Sequence, residues 1–158
     1  EDFVTASQVV QAEAMKFFIE FWRMDKDKRN GILWWNLRDG WPIISDAIVD
    51  YYGGKKLAYN YIKNVQRDIC VMIGDAAPKG HKVIAVNDTP ETKKVEVSVK
   101  DADTGKVLLQ QNTVIEENGK KLLDYLPKVK NNALWLIEYS INGEKYTNHY
   151  LTYHPPLS

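Results

Sequence analysis

The period of the hydrophobic pattern changes once along the chain, near residue 69. Before this point, apolar residues recur every three or four positions in residues 8–24 and 55–67, which predicts two amphipathic helices. Beyond it, apolar and polar residues alternate in short runs, which predicts β-strands. The pattern therefore predicts a mixed α and β chain with two domains, residues 1–68 and residues 69–158.

The first predicted helix is apolar over a wide arc. Ser7 is its candidate N-cap, since a hydroxyl can accept a hydrogen bond from a backbone N–H of the first turn. The charged run at residues 25–30, followed by Gly31, predicts its end. One apolar stripe consists of Val10, Ala14, Phe17, Phe21 and Met24, and a second consists of Met15, Phe18, Ile19 and Trp22. Because this arc is wider than a surface helix needs, we expect the helix to pack on more than one side.

A short apolar run at residues 31–37 (GILWWNL) predicts a buried strand. A loop rich in glycine, with one proline, separates it from the second helix at residues 55–67. A buried strand needs neighbours on both edges and layers on both faces. Residues 1–68 supply only one strand, so we expect them to be part of a larger α/β layer.

Seven strands are predicted in the second domain. Their ranges are 69–74, 82–87, 93–101, 106–110, 112–117, 133–141 and 144–153. The residues expected to face inward are Val95, Val97 and Val99 in one strand, and Trp135, Ile137, Tyr139 and Ile141 in another. Asn142-Gly143 predicts a two-residue hairpin turn, because both residues tolerate a positive φ. The number and spacing of the strands are typical of an immunoglobulin-like β-sandwich.

Charge and composition argue against several classes of function. Lys and Arg together number 21, as do Asp and Glu, so the net charge is zero, which is untypical of nucleic-acid-binding and membrane-surface proteins. No apolar run approaches the roughly 18–20 residues that span a bilayer. The single cysteine, Cys70, permits no internal disulfide and is expected in the core. The three histidines lack metal-ligand spacing, so we expect neither a metal site nor a cofactor.

Residues 34–52 hold the densest chemistry of the chain. The residues concerned are Trp34, Trp35, Asn36, Arg38, Asp39, Trp41, Asp46, Asp50, Tyr51 and Tyr52. The ring of a tryptophan can stack on the apolar C–H patches of a sugar while polar side chains bond its hydroxyls. The same residues are compatible with a buried aromatic corner that has satisfied polar neighbours, and both interpretations stay open.

Two further expectations concern this cluster. Trp34 and Trp35 are adjacent, so on a strand they point to opposite faces, and at most one of them lines a pocket. A retaining glycosidase needs two carboxyl groups about 5–5.5 Å apart, and nothing in the local sequence guarantees that separation. For Asp39, Asp46 and Asp50 we therefore expect structural or hydroxyl-binding roles.

Residues 31–61 resemble the end of the catalytic barrel of glycoside hydrolase family 2, especially its β-mannosidase-like members. These proteins carry a Trp-Gln-Leu-Asn-Asp-x-Trp-Pro signature on the last barrel strand, an Asp-Tyr-Tyr element and then a Lys-x-x-x-Tyr helix. The corresponding residues here are Trp35-Asn36-Leu37-Arg38-Asp39-Gly40-Trp41-Pro42, Asp50-Tyr51-Tyr52, and Lys55 to Tyr59. The chain departs from the signature at Asn36 and Arg38.

The resemblance implies an architecture. Residues 8–24, 31–37 and 55–67 would be the seventh helix, eighth strand and eighth helix of a (β/α)8 barrel. Residues 69–158 would be the immunoglobulin-like domain that follows it. The chain begins as if cut from a longer protein, since residues 1–7 show neither an initiator Met nor a signal-peptide pattern.

The resemblance also implies a function for that longer protein, the parent. It would be a retaining exo-glycosidase of the β-mannosidase or β-galactosidase type that hydrolyses terminal β-glycosidic bonds. Both catalytic glutamates would lie upstream, so the chain itself would hold no catalytic residue and be inactive. Trp35 would form the floor of the sugar subsite, with Asp39 and Trp41 as nearby substrate-binding residues. The partners implied are the terminal β-linked sugar and the missing barrel portion; a periplasmic or extracellular parent is expected.

Two alternatives stay open. In the first, the chain is a non-catalytic carbohydrate-binding or structural accessory module, and the sandwich is its functional part. In the second, the apolar faces of helix 8–24 and strand 31–37 drive self-association of the chain.

Overall fold

The structure of the chain, a computed structural model, describes residues 2–129 and 131–152. The described part forms two helices and seven strands, in two compact units that divide between Arg67 and Asp68. Tyr153, the last residue of the predicted strand 144–153, lies outside the described residues, as does His154. Neither of the described helices is long and apolar enough to cross a membrane.

The first unit contains helix α1 (Asp2–Arg23) and helix α2 (Leu57–Val65). Helix α1 begins well before the predicted start, because residues 2–7 contain neither glycine nor proline; Ser7 therefore lies inside the helix and its prediction as N-cap is wrong. The start of α2 is capped by a side chain of α1: the N–H of Leu57 donates a hydrogen bond to Oε1 of Gln8 at 3.0 Å.

The core of the first unit joins one face of α1 to α2 and to the loop between them. The buried members are Ala12, Ile19, Ile48, Ala58, Ile62 and Val65. The same face of α1 buries an ion pair between Lys16 and Glu20, with 2.7 Å between Nζ and Oε2. Burial, with the charge of Glu13 nearby, raises the pKa of Tyr61 above its usual value.

The predicted strand at residues 31–37 is absent. Its residues alternate between half-buried and exposed positions, and the side chain of Leu33 is 97% exposed. A strand exists only where a neighbour pairs with its backbone groups. The described residues of the first unit supply only isolated bridges, between Arg38 and Val49 and between Val49 and Lys55.

The second unit is a seven-stranded antiparallel β-sandwich. Its strands are β1 (Ile69–Ala77), β2 (Gly80–Asn87), β3 (Lys93–Asp101), β4 (Val107–Ile115), β5 (Lys120–Leu126), β6 (Ala133–Ile141) and β7 (Glu144–Thr152). One sheet has the order β1-β2-β5 and the other the order β4-β3-β6-β7. The predicted strands 106–110 and 112–117 are a single strand, β4, and β5 was not predicted.

The sandwich core follows the predicted alternation. Val95, Val97 and Val99 are at most 1% exposed, and Trp135 and Ile137 are equally buried. The hairpin between β6 and β7 turns at Asn142 and Gly143, whose φ angles are 52° and 83°, which confirms the predicted turn. Cys70 is fully buried, as expected for a core residue.

Candidate functional site

The segment between the two helices is ordered by a few backbone hydrogen bonds. The N–H of Val49 donates to the carbonyl of Leu37 at 3.0 Å, and the N–H of Asp39 donates to the carbonyl of Val49 at 3.1 Å. On the other side, the N–H of Lys56 donates to the carbonyl of Ile48 at 2.9 Å. Three short stretches of chain therefore lie side by side just before α2.

Residues 40–44 (GWPII) project from this arrangement as a loop, referred to below as the Trp41 loop. All five residues are exposed, and the Trp41 side chain is 64% exposed. The loop starts after Asp39 and ends before Ser45, and these two side chains meet, since the Ser45 hydroxyl donates to Oδ1 of Asp39. The base of the loop is thus closed by a hydrogen bond between its two ends.

Lys56 adds a second connection at the base of the Trp41 loop. Its Nζ donates to the carbonyl of Ser45 at 2.9 Å and lies 3.6 Å from Oδ2 of Asp39. Asp39 is only 5% exposed, and its Oδ2 is buried without a hydrogen-bond donor. The ammonium group of Lys56 therefore compensates a buried carboxylate.

The two adjacent tryptophans point in different directions, as predicted. Trp34 packs against the core of the first unit, whereas Trp35 is 80% exposed. The peptide bond between Trp35 and Asn36 is cis. Of the two rings, only that of Trp35 offers a large surface to a ligand.

The Asp-Tyr-Tyr element forms a tight turn. Oδ1 of Asp50 accepts a hydrogen bond from the N–H of Gly54 at 2.7 Å, and a Cβ at Gly54 would lie 2.5 Å from Oδ2 of the same carboxylate. Nη2 of Arg38 donates to the carbonyl of Tyr51 at 2.7 Å, which connects this turn to the start of the Trp41 loop. The rings of Tyr51 and Tyr52 meet edge to face at 5.2 Å.

The substrate-binding residues predicted from the sequence occupy two kinds of position in the structure. Trp35 and Trp41 present exposed rings, which suits stacking on an apolar face of a ligand. Asp39 is directed into the protein, where it holds the loop. The carboxylates of Asp39 and Asp50 accept hydrogen bonds from residues close in sequence, Ser45 and Gly54, and so order their own loops. No group of three or more potential metal-binding side chains occurs among the described residues.

Ser45 and Lys56 are the residues of this site that sequence reasoning missed. Ser45 lies outside the quoted signature elements, and Lys56 occupies a variable position of the Lys-x-x-x-Tyr element. Lys56 lies 17 positions beyond Asp39, and no periodic pattern connects the two. Only the folding of the segment into adjacent stretches brings them together.

The sandwich carries open grooves with mixed polar and apolar linings, and the smaller one includes Tyr139 and Tyr146. One open groove of about 580 Å³ and another of about 320 Å³ lie along β3, β4 and β6. Both are lined by Glu96 and Ser140, and neither is lined by a tryptophan. The exposed tryptophan rings, those of Trp35 and Trp41, belong to the first unit.

Comparison with known proteins finds relatives for most of the chain. No protein-family model matches it. The chain is 31% identical over 163 residues to a protein named β-mannosidase B from Aspergillus niger, covering 91% of this chain and 19% of that protein. It is 32% identical over 154 residues to the β-mannosidase B of Aspergillus flavus, with 90% and 18% covered. The chain thus spans about a fifth of the length of these curated relatives.

Solved structures agree with this match. A β-D-mannosidase from Dictyoglomus thermophilum superimposes with a TM-score of 0.78 and 29% identity, covering 94% of this chain and 19% of that one. The exo-chitosanase of Amycolatopsis orientalis has a TM-score of 0.70 over 95% of this chain and 19% of its own; at 18% identity, this superposition shows a common fold alone.

Proposed function

We propose, from the premise that this chain is a glycoside hydrolase family 2-like C-terminal region, that it is part of a retaining exo-glycosidase. The parent acts on terminal β-linked mannose, with β-galactosidase activity as the second candidate. The observation that carries the proposal is the extent of the match. A match covering 91% of the chain includes most of residues 1–67 as well as the sandwich, whereas an accessory sandwich module would match in the second unit alone.

In this proposal the first unit is the closing part of a (β/α)8 barrel, and the sandwich is the immunoglobulin-like domain after it. Two observations support the barrel assignment. Residues 32–37 alternate between half-buried and exposed positions, which is the two-sided pattern of a strand, yet within the described residues they form no ladder and only the carbonyls of Asn36 and Leu37 accept hydrogen bonds from residues 48 and 49. The first apolar stripe of α1 is exposed, with Phe17 at 47% and Phe21 at 44%. The missing barrel portion supplies both kinds of partner.

The chemistry of the parent is a double displacement. A carboxylate attacks the anomeric carbon, an acid protonates the leaving oxygen, and water then releases the sugar with retained configuration. The two catalytic glutamates come from the missing barrel portion. This chain contributes the exposed rings of Trp35 and Trp41, which stack against the terminal sugar, and a supporting domain.

The proposal is tested by comparing the intact parent with the 158-residue chain. We expect the parent to release nitrophenol from nitrophenyl β-mannoside and the chain alone to release none. Proton NMR of the early product distinguishes retention from inversion at the anomeric carbon. A parent without activity on β-mannosides and β-galactosides contradicts the proposed function, and turnover by the chain alone contradicts its dependence on upstream glutamates.

The accessory-module alternative has its own test. Mannose or manno-oligosaccharides are titrated into the chain while its tryptophan fluorescence is followed. We expect no saturable change, because without the missing barrel portion Trp35 faces solvent alone. Saturable, sugar-specific quenching by the isolated chain favours the binding module.

A further inference from the structure

We infer that Lys56 is a positioning residue for the sugar subsite: with Asp39 and Ser45 it fixes the base of the Trp41 loop and thereby the place at which the Trp41 ring meets the substrate. This inference rests on the proposed function, since it assigns a task to a residue beside the same site. Lys56 itself does not touch the sugar.

The exposure of the Trp41 loop is the first step of the argument. Because residues 40–44 are all exposed, burial in a core does not fix their conformation. The segment is held through its ends, where the Ser45 hydroxyl donates to Asp39 and the Asp39 N–H donates to Val49. Anything that loosens this base changes the position of Trp41.

Lys56 is the one group in this network that contacts both ends of the loop. Its Nζ donates to the Ser45 carbonyl at 2.9 Å and lies 3.6 Å from Oδ2 of Asp39. That oxygen is buried and accepts no hydrogen bond within the described part of the chain. Loss of the ammonium leaves the Asp39 carboxylate buried without a compensating charge, and we expect the base of the loop to rearrange in response.

The fixed start of α2 makes Lys56 a rigid anchor. Its N–H donates to the Ile48 carbonyl at 2.9 Å, and the next N–H, that of Leu57, donates to Gln8 of α1 at 3.0 Å. The backbone at Lys56 is thus connected both to Ile48, in the segment that follows the Trp41 loop, and to helix α1. Catalytic rates respond steeply to misplacement of substrate-contacting groups, so this anchor affects activity from a distance.

Lys55 provides a matched control. It precedes Lys56 directly and carries the same charge, but its Nζ lies 4.5 Å from the ring centroid of Tyr59. In the parent enzyme we expect Lys56→Met to lower kcat/KM on nitrophenyl β-mannoside by about 10- to 100-fold. We expect Lys55→Met to change it by less than about twofold, and Lys56→Arg to restore part of the loss because arginine keeps the positive charge.

A double-mutant cycle separates positioning from general stability. If Lys56 acts through Trp41, Lys56→Met should add little to the loss already caused by Trp41→Ala. Independent, multiplicative losses in the Trp41→Ala background overturn the inference, because they show that Lys56 acts by another route.

A spectroscopic experiment tests the network in the chain itself. The indole N–H signal of Trp41 is assigned by its disappearance in Trp41→Phe. We expect Lys56→Met to shift or broaden this signal, while the signal of Trp135, in the sandwich core, stays in place. An unchanged Trp41 signal overturns the inference.

If the Lys56→Met variant does not fold, the same measurement is made on Ser45→Ala, which removes the hydroxyl that donates to Asp39. A parent inactive on all β-glycosides refutes the proposed function, whereas the indole signal still decides the role of Lys56.

Discussion

At the scale of single residues, Trp34 and Trp35 show how neighbouring identical side chains take separate tasks. The ring of Trp34 is half-buried against the core of the first unit, whereas the ring of Trp35 is 80% exposed. A buried ring contributes to stability through the area that it removes from water. An exposed ring contributes little to stability and is available for a ligand.

If the proposed parent enzyme exists, this difference predicts opposite effects of two alanine substitutions in it. Trp35→Ala should lower kcat/KM at least about tenfold more than Trp34→Ala, which corresponds to about 1.4 kcal/mol of transition-state stabilisation. Trp34→Ala should instead lower the free energy of unfolding by about 1–3 kcal/mol. Kinetics with nitrophenyl β-mannoside and thermal unfolding of both variants measure the two effects. Equal and small kinetic losses would assign Trp35 a packing role only.

At the scale of elements, the sequence predicts a strand best where apolar and polar residues alternate regularly within that strand. In β3 the alternation of buried valines with polar residues is uninterrupted, and the structure has the predicted bounds. In β4, Gln110 and Gln111 interrupt the alternation and suggest a break, yet pairing with Ser98 and Val97 of β3 carries the strand through. Strand β5 (KKLLDYL) has two adjacent leucines and no clear alternation, so it was missed.

The candidate site follows the same rule: the sequence predicts its features where a local pattern determines them, and not where distant residues meet. The difference in exposure between Trp34 and Trp35 follows the local alternation of residues 31–37 between half-buried and exposed positions. The contacts of Asp39 with Ser45 and Lys56 depend on how residues 36–39, 47–50 and 54–56 come together, which no local pattern encodes. For residues 31–37 the local signal is that of a strand, but pairing requires neighbours that the described residues do not supply.

Strand β6 offers an element-scale prediction with its control next to it. Ile137 is fully buried, whereas the adjacent Leu136 points to the other face and is 44% exposed. Ile137→Ala should lower the free energy of unfolding of the sandwich by about 2–5 kcal/mol, because it leaves a cavity in the core. Leu136→Ala should cost less than about 1 kcal/mol. Urea unfolding of the full chain, followed by the indole signal of Trp135, gives both values; equal costs would contradict the assignment of faces.

At the scale of the whole molecule, the chain combines exposed apolar surface with no net charge. Helix α1 buries Ala12, Lys16 and Ile19 on one face and exposes Val10 and Phe17 on the opposite one. At the end of the exposed stripe, the guanidinium of Arg29 lies 4.3 Å from the ring centroid of Phe21. Equal numbers of acidic and basic residues provide no net repulsion between copies.

We therefore predict that the isolated chain self-associates through the exposed stripe of α1. Static light scattering should show a mass that rises with concentration, and Phe17→Gln with Phe21→Gln should reduce this rise because it removes two large apolar rings from the stripe. Tyr52→Gln is the control, since it removes an 80% exposed ring elsewhere on the first unit. Association that persists in the double variant, or that disappears equally in the control, places the contact on another surface. If the chain stays monomeric at all concentrations, the exposed stripe of α1 does not drive association.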